Sequence, residues 1–391
     1  MKRKAAAIFL CIFIFINSFG INIYAADSSI SPSEPTLSQP KEPECKSAIL
    51  MDADSGRILY AKNENEALPP ASVTKIMTLL LVMEEIDSGN LRLDDKISAS
   101  ANACSMGGSQ IYLKEGEIMS VEDLLKSVVI SSANDAAVAL AERVAGSEEA
   151  FVQKMNEKAA ALGMKNTNFE NTNGLDDTAI NHKTSALDIA IMSRELIKHK
   201  DILKYSSIWM DSIRNGEFGL TNTNKLVRFY RGCTGLKTGS TSKAGFCVSV
   251  TASRDNLNLI CVIMGAESGD IRNREASALL DYGFANYQNY SYAEGSFEDI
   301  SIMGGNKASI SARHNSFSMC VQKGDKDKIQ PQIQINDSIH APIKNGEVIG
   351  KVSFLLDGKE MGYTEIYSTE DVERIKFGEI FRRMFISAAG L

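Results

Sequence analysis

Ser72-Val73-Thr74-Lys75 sets a hydroxyl and an amine three residues apart. On a helix that spacing puts both on one face. A serine hydroxyl is a weak nucleophile until a neighbouring base takes its proton. A lysine becomes that base when burial and nearby cations lower its pKa. Ser132-Ala133-Asn134 adds a second hydroxyl able to relay a proton and an amide able to hold a substrate carbonyl. Lys237-Thr238-Gly239, followed by Ser240, adds a cation on a stretch that reads as a strand. A strand beside a nucleophile can pair with an extended peptide, and Gly239 is expected to leave room for that approach. Taken singly, each triplet says little. A lysine one turn from a capping serine, a helix N-cap and an edge-strand lysine are the ordinary readings.

Elements must bring these groups together. Residues 47–51 and 57–60 read as two strands around the turn 52–56. Residues 72–86 carry an apolar helical face with Ile76, Leu79, Leu80 and Met83, and stop near Gly89. Helices are expected over 121–130, 134–145, 147–162 and 184–199. Strands follow at 234–238, 245–252 and 257–265, then a helix over about 272–287. Strand pair, helical block, strands and closing helix make an α+β fold. Beyond residue 290, short alternating stretches at 300–303, 308–312, 329–335 and 350–356 suggest a small β-rich domain over 291–366.

Bulk properties narrow the function. With 391 residues and 44% hydrophobic content, the chain can bury a large core and a smaller one. A net charge of −7 with no long basic run argues for no nucleic-acid partner. Lys2, Arg3 and Lys4 precede an apolar run over 5–19 and a small-residue site at Ala25-Ala26. That order reads as a secretory signal peptide, 1–25, cleaved after Ala25. Residues 26–44, rich in Ser, Pro and Glu, read as a flexible linker. Six cysteines remain beyond the signal, without a Cys-x-x-Cys pair, and Cys247 and Cys261 read as small core residues. His182, His199, His314 and His340 share no motif, which argues against a zinc site.

The three triplets, in order and roughly 60 and 105 residues apart, form the signature of penicillin-recognising serine enzymes. The surrounding residues extend the match: LPPASVTKIMT from Leu68, MGGSQ from Met106, SANDA from Ser132, NGL from Asn173 and GLKTG from Gly235. Together they resemble the D-alanyl-D-alanine carboxypeptidases, the low-molecular-weight penicillin-binding proteins with a C-terminal β domain. In detail they are most similar to the Gram-positive sporulation-associated branch. Ala133 departs from the family's usual glycine, and Ser240 stands where some relatives have His or Thr.

The resemblance implies a D,D-peptidase-like domain over 45–290, an antiparallel sheet with a helical lobe. It also implies roles. Ser72 attacks the amide between two terminal D-alanines and Lys75 takes its proton. Ser132 and Lys237 pass a proton to the leaving D-alanine, and Asn134 orients the acylated peptide. The backbone N–H groups of Ser72 and Ser240 form the oxyanion hole. Thr238 and Arg272 receive the terminal carboxylate, Arg274 being the nearby alternative. Substrates are then peptidoglycan stem peptides ending in D-Ala-D-Ala, with β-lactams as covalent inhibitors and no metal or organic cofactor needed.

The tail, 367–391, carries a second membrane signal. Phe377, Ile380, Phe381, Met384 and Phe385 fall on one helical face, with Arg374, Lys376, Arg382 and Arg383 elsewhere. This reads as an in-plane amphipathic anchor on anionic lipid; packing on the β domain is the alternative. Two other functions share the triplets. A class A-like β-lactamase normally carries Ser-Asp-Asn and a deacylating glutamate. A catalytically weak penicillin-sensing or peptidoglycan-binding protein keeps the fold without turnover.

Overall fold

The computed structural model describes residues 40–176 and 179–388; the expected signal peptide and most of the linker lie outside them. Five strands form an antiparallel sheet: β1 (Ser47–Asp52), β2 (Ile58–Lys62), β3 (Cys233–Thr241), β4 (Gly245–Arg254) and β5 (Leu257–Ala266). Their order is β2-β1-β5-β4-β3, so the strand carrying Lys237 is an edge. The interior strands β1, β4 and β5 are buried on both faces because both faces are covered. Ile49, Met51, Ile260, Val262 and Met264 join the core of the helical lobe. Leu50 and Leu259, of opposite parity, lie against Gly283 of the C-terminal helix α5 (Gly269–Asn286).

The lobe is built from α1 (Lys75–Asp87), α2 (Asn134–Ala145), α3 (Glu148–Ala161) and α4 (Ala186–Leu196). Lys75 through Val82 and Met83 of α1 are all buried. A helix covered on every side is a central one, and α1 packs against α2, α3 and α4. Ser147 and Ser185 cap α3 and α4 by accepting from Ala150 and Asp188 N–H.

The helix expected over 121–130 divides. Residues Val121–Lys126 are α-helical, and Ser127–Ser131 widen into a π turn. Ser127 Oγ bonds the Asp123 carbonyl and Ser131 Oγ bonds the Ser127 carbonyl. Such side-chain bonds compete with the helical ladder. A hairpin at Met210–Ile213 and Phe218–Thr221 is an element the apolar pattern does not announce.

From Tyr287 the chain is β-rich. Strands β6 (Tyr287–Tyr292) and β9 (Phe317–Gln322) pair with each other. A second sheet has the order β7-β8-β12-β11-β10, from β7 (Gly295–Ser301), β8 (Ser309–His314), β10 (Gln330–Ile335), β11 (Val348–Leu356) and β12 (Lys359–Ser368). Its own core includes Tyr290, Ile310, Val352, Phe354 and Ile366. Val372 is also buried there, and its N–H and carbonyl pair with Ile343. Residues 370–375 of the tail therefore complete the β domain. Beyond them α6 (Phe377–Ala388) turns its apolar stripe outward, with Phe377 81% and Phe385 67% exposed. Among the described residues no helix is long and apolar enough to cross a membrane.

Candidate active site

Ser72 sits in a single 3-10 turn, Ala71–Thr74, that feeds directly into α1. Lys75, the first residue of α1, is fully buried. Its Nζ lies 2.9 Å from Ser72 Oγ, 2.6 Å from Asn134 Oδ1 and 2.8 Å from the Asn173 carbonyl. An ammonium has three N–H donors, and three oxygens receive them. Asn134 and Asn173 offer acceptors with no proton to give back. When the amine is neutral, the two N–H bonds it keeps fit those oxygens, and its lone pair faces the Ser72 hydroxyl. Burial, and then the charge of Lys237, hold the Lys75 pKa well below its ordinary value; Asp135 opposes them. Asp135 does not pair with the lysine. Its carboxylate accepts from the Ile111, Leu113 and Ala136 N–H groups.

Ser132 leaves the π turn with φ = 65°, and Ala133 is extended before α2 begins at Asn134. This break, rather than a continuous helix, turns the second triplet into the cleft. Ser132 Oγ accepts from Lys237 Nζ at 2.8 Å. Asn134 Nδ2 donates to the Gly107 carbonyl at 2.7 Å, which ties the 106–109 loop to the site.

On β3, Lys237 is buried and brought down to about 7, first by burial and then by the charge of Arg272. Thr238 Oγ1 donates to Thr223 Oγ1 at 2.7 Å, and Ser240 is exposed at the rim. Gly239 lines the cleft, and its missing side chain also serves the protein's own packing. A Cβ there would stand 2.7 Å from the Ser72 nitrogen and 2.8 Å from the Val73 nitrogen. The missing side chain lets the edge strand press against the nucleophile's own backbone.

Ser72, Ser132, Thr238, Ser240 and Arg272 line one cleft of about 230 Å³. Arg272 is 7% exposed, and Nε and Nη2 donate to the neutral Asn273 Oδ1. Arg274, two residues on, is turned away by the helical period and pairs with Glu44 and Glu275. Lys75, Lys237 and Arg272 form no salt bridge among the described residues. Buried cations are costly unless paired, so this end of the cleft is built to receive an anion.

Three contributors were not singled out as site residues from the sequence. Thr223 reaches Thr238 from the short segment after the 210–221 hairpin. The Asn173 carbonyl reaches Lys75 from a loop 98 residues away. Gly174, with φ = 84°, lets that loop close down: a Cβ there would overlap the Ala71 carbonyl at 1.9 Å. The NGL run from Asn173 marked this loop in the sequence without assigning it a role.

Residues 34–268 match the family model described as D-alanyl-D-alanine carboxypeptidase, and 289–374 match the model of the penicillin-binding protein 5 C-terminal domain. D-alanyl-D-alanine carboxypeptidase DacF of Bacillus subtilis is 40% identical over 347 residues, covering 87% of this chain and 89% of its own length. The crystal structure of penicillin-binding protein 5 from Haemophilus influenzae superposes with a TM-score of 0.76 at 31% identity, over 86% of this chain and all of that one. Penicillin-binding protein D2 of Listeria monocytogenes, in its ampicillin-bound form, superposes with a TM-score of 0.58 at 30% identity, over 63% of this chain and all of that one. The match over both segments, together with a fold of sheet, helical lobe and C-terminal β domain, means that this chain belongs to the D-alanyl-D-alanine carboxypeptidase family.

Proposed function

We propose that this chain is an exported serine-type D-alanyl-D-alanine carboxypeptidase that trims peptidoglycan stem peptides and is acylated by β-lactams. The observation that carries the reading is the contact between Lys75 Nζ and Ser72 Oγ, in a cleft whose buried Lys75, Lys237 and Arg272 form no salt bridge among the described residues. Lys75 takes the Ser72 proton, and Oγ attacks the carbonyl between the two terminal D-alanines. The oxyanion forms beside the backbone N–H groups of Ser72 and Ser240. Thr238 and Arg272 hold the terminal carboxylate. Lys237 and Ser132, already hydrogen-bonded, pass a proton to the leaving nitrogen. Asn134 orients the acyl chain until water releases the shortened peptide. A β-lactam amide enters the same path and leaves an acyl group on Ser72.

The deciding measurement is D-alanine release from a wall pentapeptide analogue. Many turnovers per enzyme are expected, with one equivalent of slowly lost penicillin label. Rapid penicillin hydrolysis without D-alanine release would establish a β-lactamase instead. Tight penicillin labelling with neither turnover would establish a sensor.

The exposed stripe of α6 supports a second part of the reading, an in-plane attachment to anionic lipid. Cutting after Lys376 keeps Val372 and its pairing with Ile343, so the β domain stays closed. The shortened chain is expected to lose co-sedimentation with anionic vesicles while releasing D-alanine from soluble peptide at an unchanged rate. Binding by the uncut chain should weaken in high salt. Undiminished sedimentation of the shortened chain would rule α6 out as the anchor.

A further inference from the structure

His182 belongs to none of the three triplets, yet it is buried against the turn that carries Ser72. Its Nδ1 accepts from the Glu170 backbone N–H at 3.0 Å. A backbone amide only donates, so the neutral ring keeps its proton on Nε2. Nε2 lies 2.8 Å from Thr74 Oγ1. The Thr74 hydroxyl proton is committed to the Ala71 carbonyl, also at 2.8 Å, so the threonine oxygen accepts from Nε2–H. The donors run one way, from Glu170 through His182 and Thr74 to Ala71. Ala71 has φ = 48°, a left-handed backbone that costs an alanine about 1–2 kcal/mol. The next residue is Ser72. Burial brings the imidazole down to about 4 against the pull of Glu170 and Asp176, which keeps the ring neutral near pH 7.

We infer that His182 is a positioning residue for the nucleophile: its Nε2–H fixes Thr74, and through Thr74 the left-handed Ala71 that aims Ser72 at Lys75. The inference rests on Ser72 being the nucleophile of the reading above.

Two amides of different reach test it. In His182→Gln the side-chain nitrogen falls near the place of Nε2 and still donates to Thr74. In His182→Asn the amide ends near the place of Nδ1 and cannot reach Thr74. Thr74→Ser keeps the hydroxyl and Thr74→Val removes it. Stopped-flow acylation of the full-length chain by a fluorescent penicillin separates pre-covalent binding from the acylation step. Melting temperatures are recorded alongside. His182→Gln and Thr74→Ser are expected within about threefold of wild type. His182→Asn and Thr74→Val should acylate roughly 10- to 100-fold more slowly, as a nucleophile misplaced by about 1 Å would. Pre-covalent binding should not change. The double variant should be no slower than the slower single, because both changes break one chain.

A His182→Asn protein that acylates at the wild-type rate would overturn the inference. So would equal losses in the Gln and Asn variants, the mark of a merely structural role. If His182→Asn does not fold, Thr74→Val acylating as fast as Thr74→Ser overturns it. A wild type that penicillin does not acylate sinks the parent reading as well. An acylated wild type beside a fast His182→Asn sinks this inference alone.

Discussion

Ser72→Ala is expected to take up no penicillin label and to lose D-alanine release by on the order of 10⁶-fold, the scale of deleting a serine nucleophile. At about 1.36 kcal/mol per tenfold, that is roughly 8 kcal/mol of transition-state stabilisation. The fold should survive. Ser72 Oγ is one of three oxygens around Lys75 Nζ, and Asn134 and Asn173 remain in place. Losing one such bond costs about 1–3 kcal/mol, a few degrees of melting temperature. The ammonium loses one acceptor and the neutral amine loses the hydroxyl its lone pair faced, so burial and the Lys237 charge still hold the Lys75 pKa low. A dead Ser72→Ala protein therefore cannot be blamed on a mis-set base. Intact-mass detection of a penicilloyl adduct on the alanine variant would assign the chemistry to another nucleophile.

The chemistry of this site was more legible in the sequence than its support. Ser72 and Lys75 are local, three residues apart, and helical geometry alone makes them neighbours. Arg272 and Arg274 could not be separated by sequence resemblance, but two residues along a helix point to different sides. One lies buried in the cleft and the other is exposed beside Glu44. The hidden part is carried by the main chain. The Asn173 carbonyl that receives a Lys75 proton has no side-chain identity to read. The left-handed φ of Ala71 is enforced by a loop more than 90 residues on, through Gly174 and His182. Gly239 was recognisable as a position needing space, but whether peptide or the Ser72 backbone fills it depends on how β3 docks on the 3-10 turn. In the β domain, β9 and β12 escaped because FSMCVQ and KEMGYTEIYS mix polar and apolar residues without a clean period. Their place comes from pairing with β6, β8 and β11.

Lys75→Arg should reduce acylation at least about 10³-fold, within the usual worth of a general base. Arginine keeps the positive charge but holds its proton throughout the working range, so it cannot accept one from Ser72. The site is fully buried, and the larger guanidinium must push against Asn134, Asn173 or the cleft, costing about 1–3 kcal/mol. Lys75→Met separates that crowding from the chemistry, because it fills a similar volume and carries no proton at all. Both variants should be equally dead in acylation although their stabilities differ. An arginine variant within tenfold of wild type would show that another group is the base.

The wild-type pH profile supplies the linked test. The amine must be neutral to act, so acylation rises with pH as Lys75 loses its proton. That rise falls well below the ordinary lysine range because burial and the Lys237 charge both disfavour the ammonium. Lys237, itself brought down to about 7, is the like charge that acts on Lys75, so the profile reports the pair rather than either residue. Lys237→Met removes a like charge from beside Lys75. Its ammonium is then less disfavoured, its pKa climbs, and whatever acylation remains should rise at higher pH than in wild type. A profile that stays in place, or moves to lower pH, would mean that Lys75 is not the group whose deprotonation drives acylation.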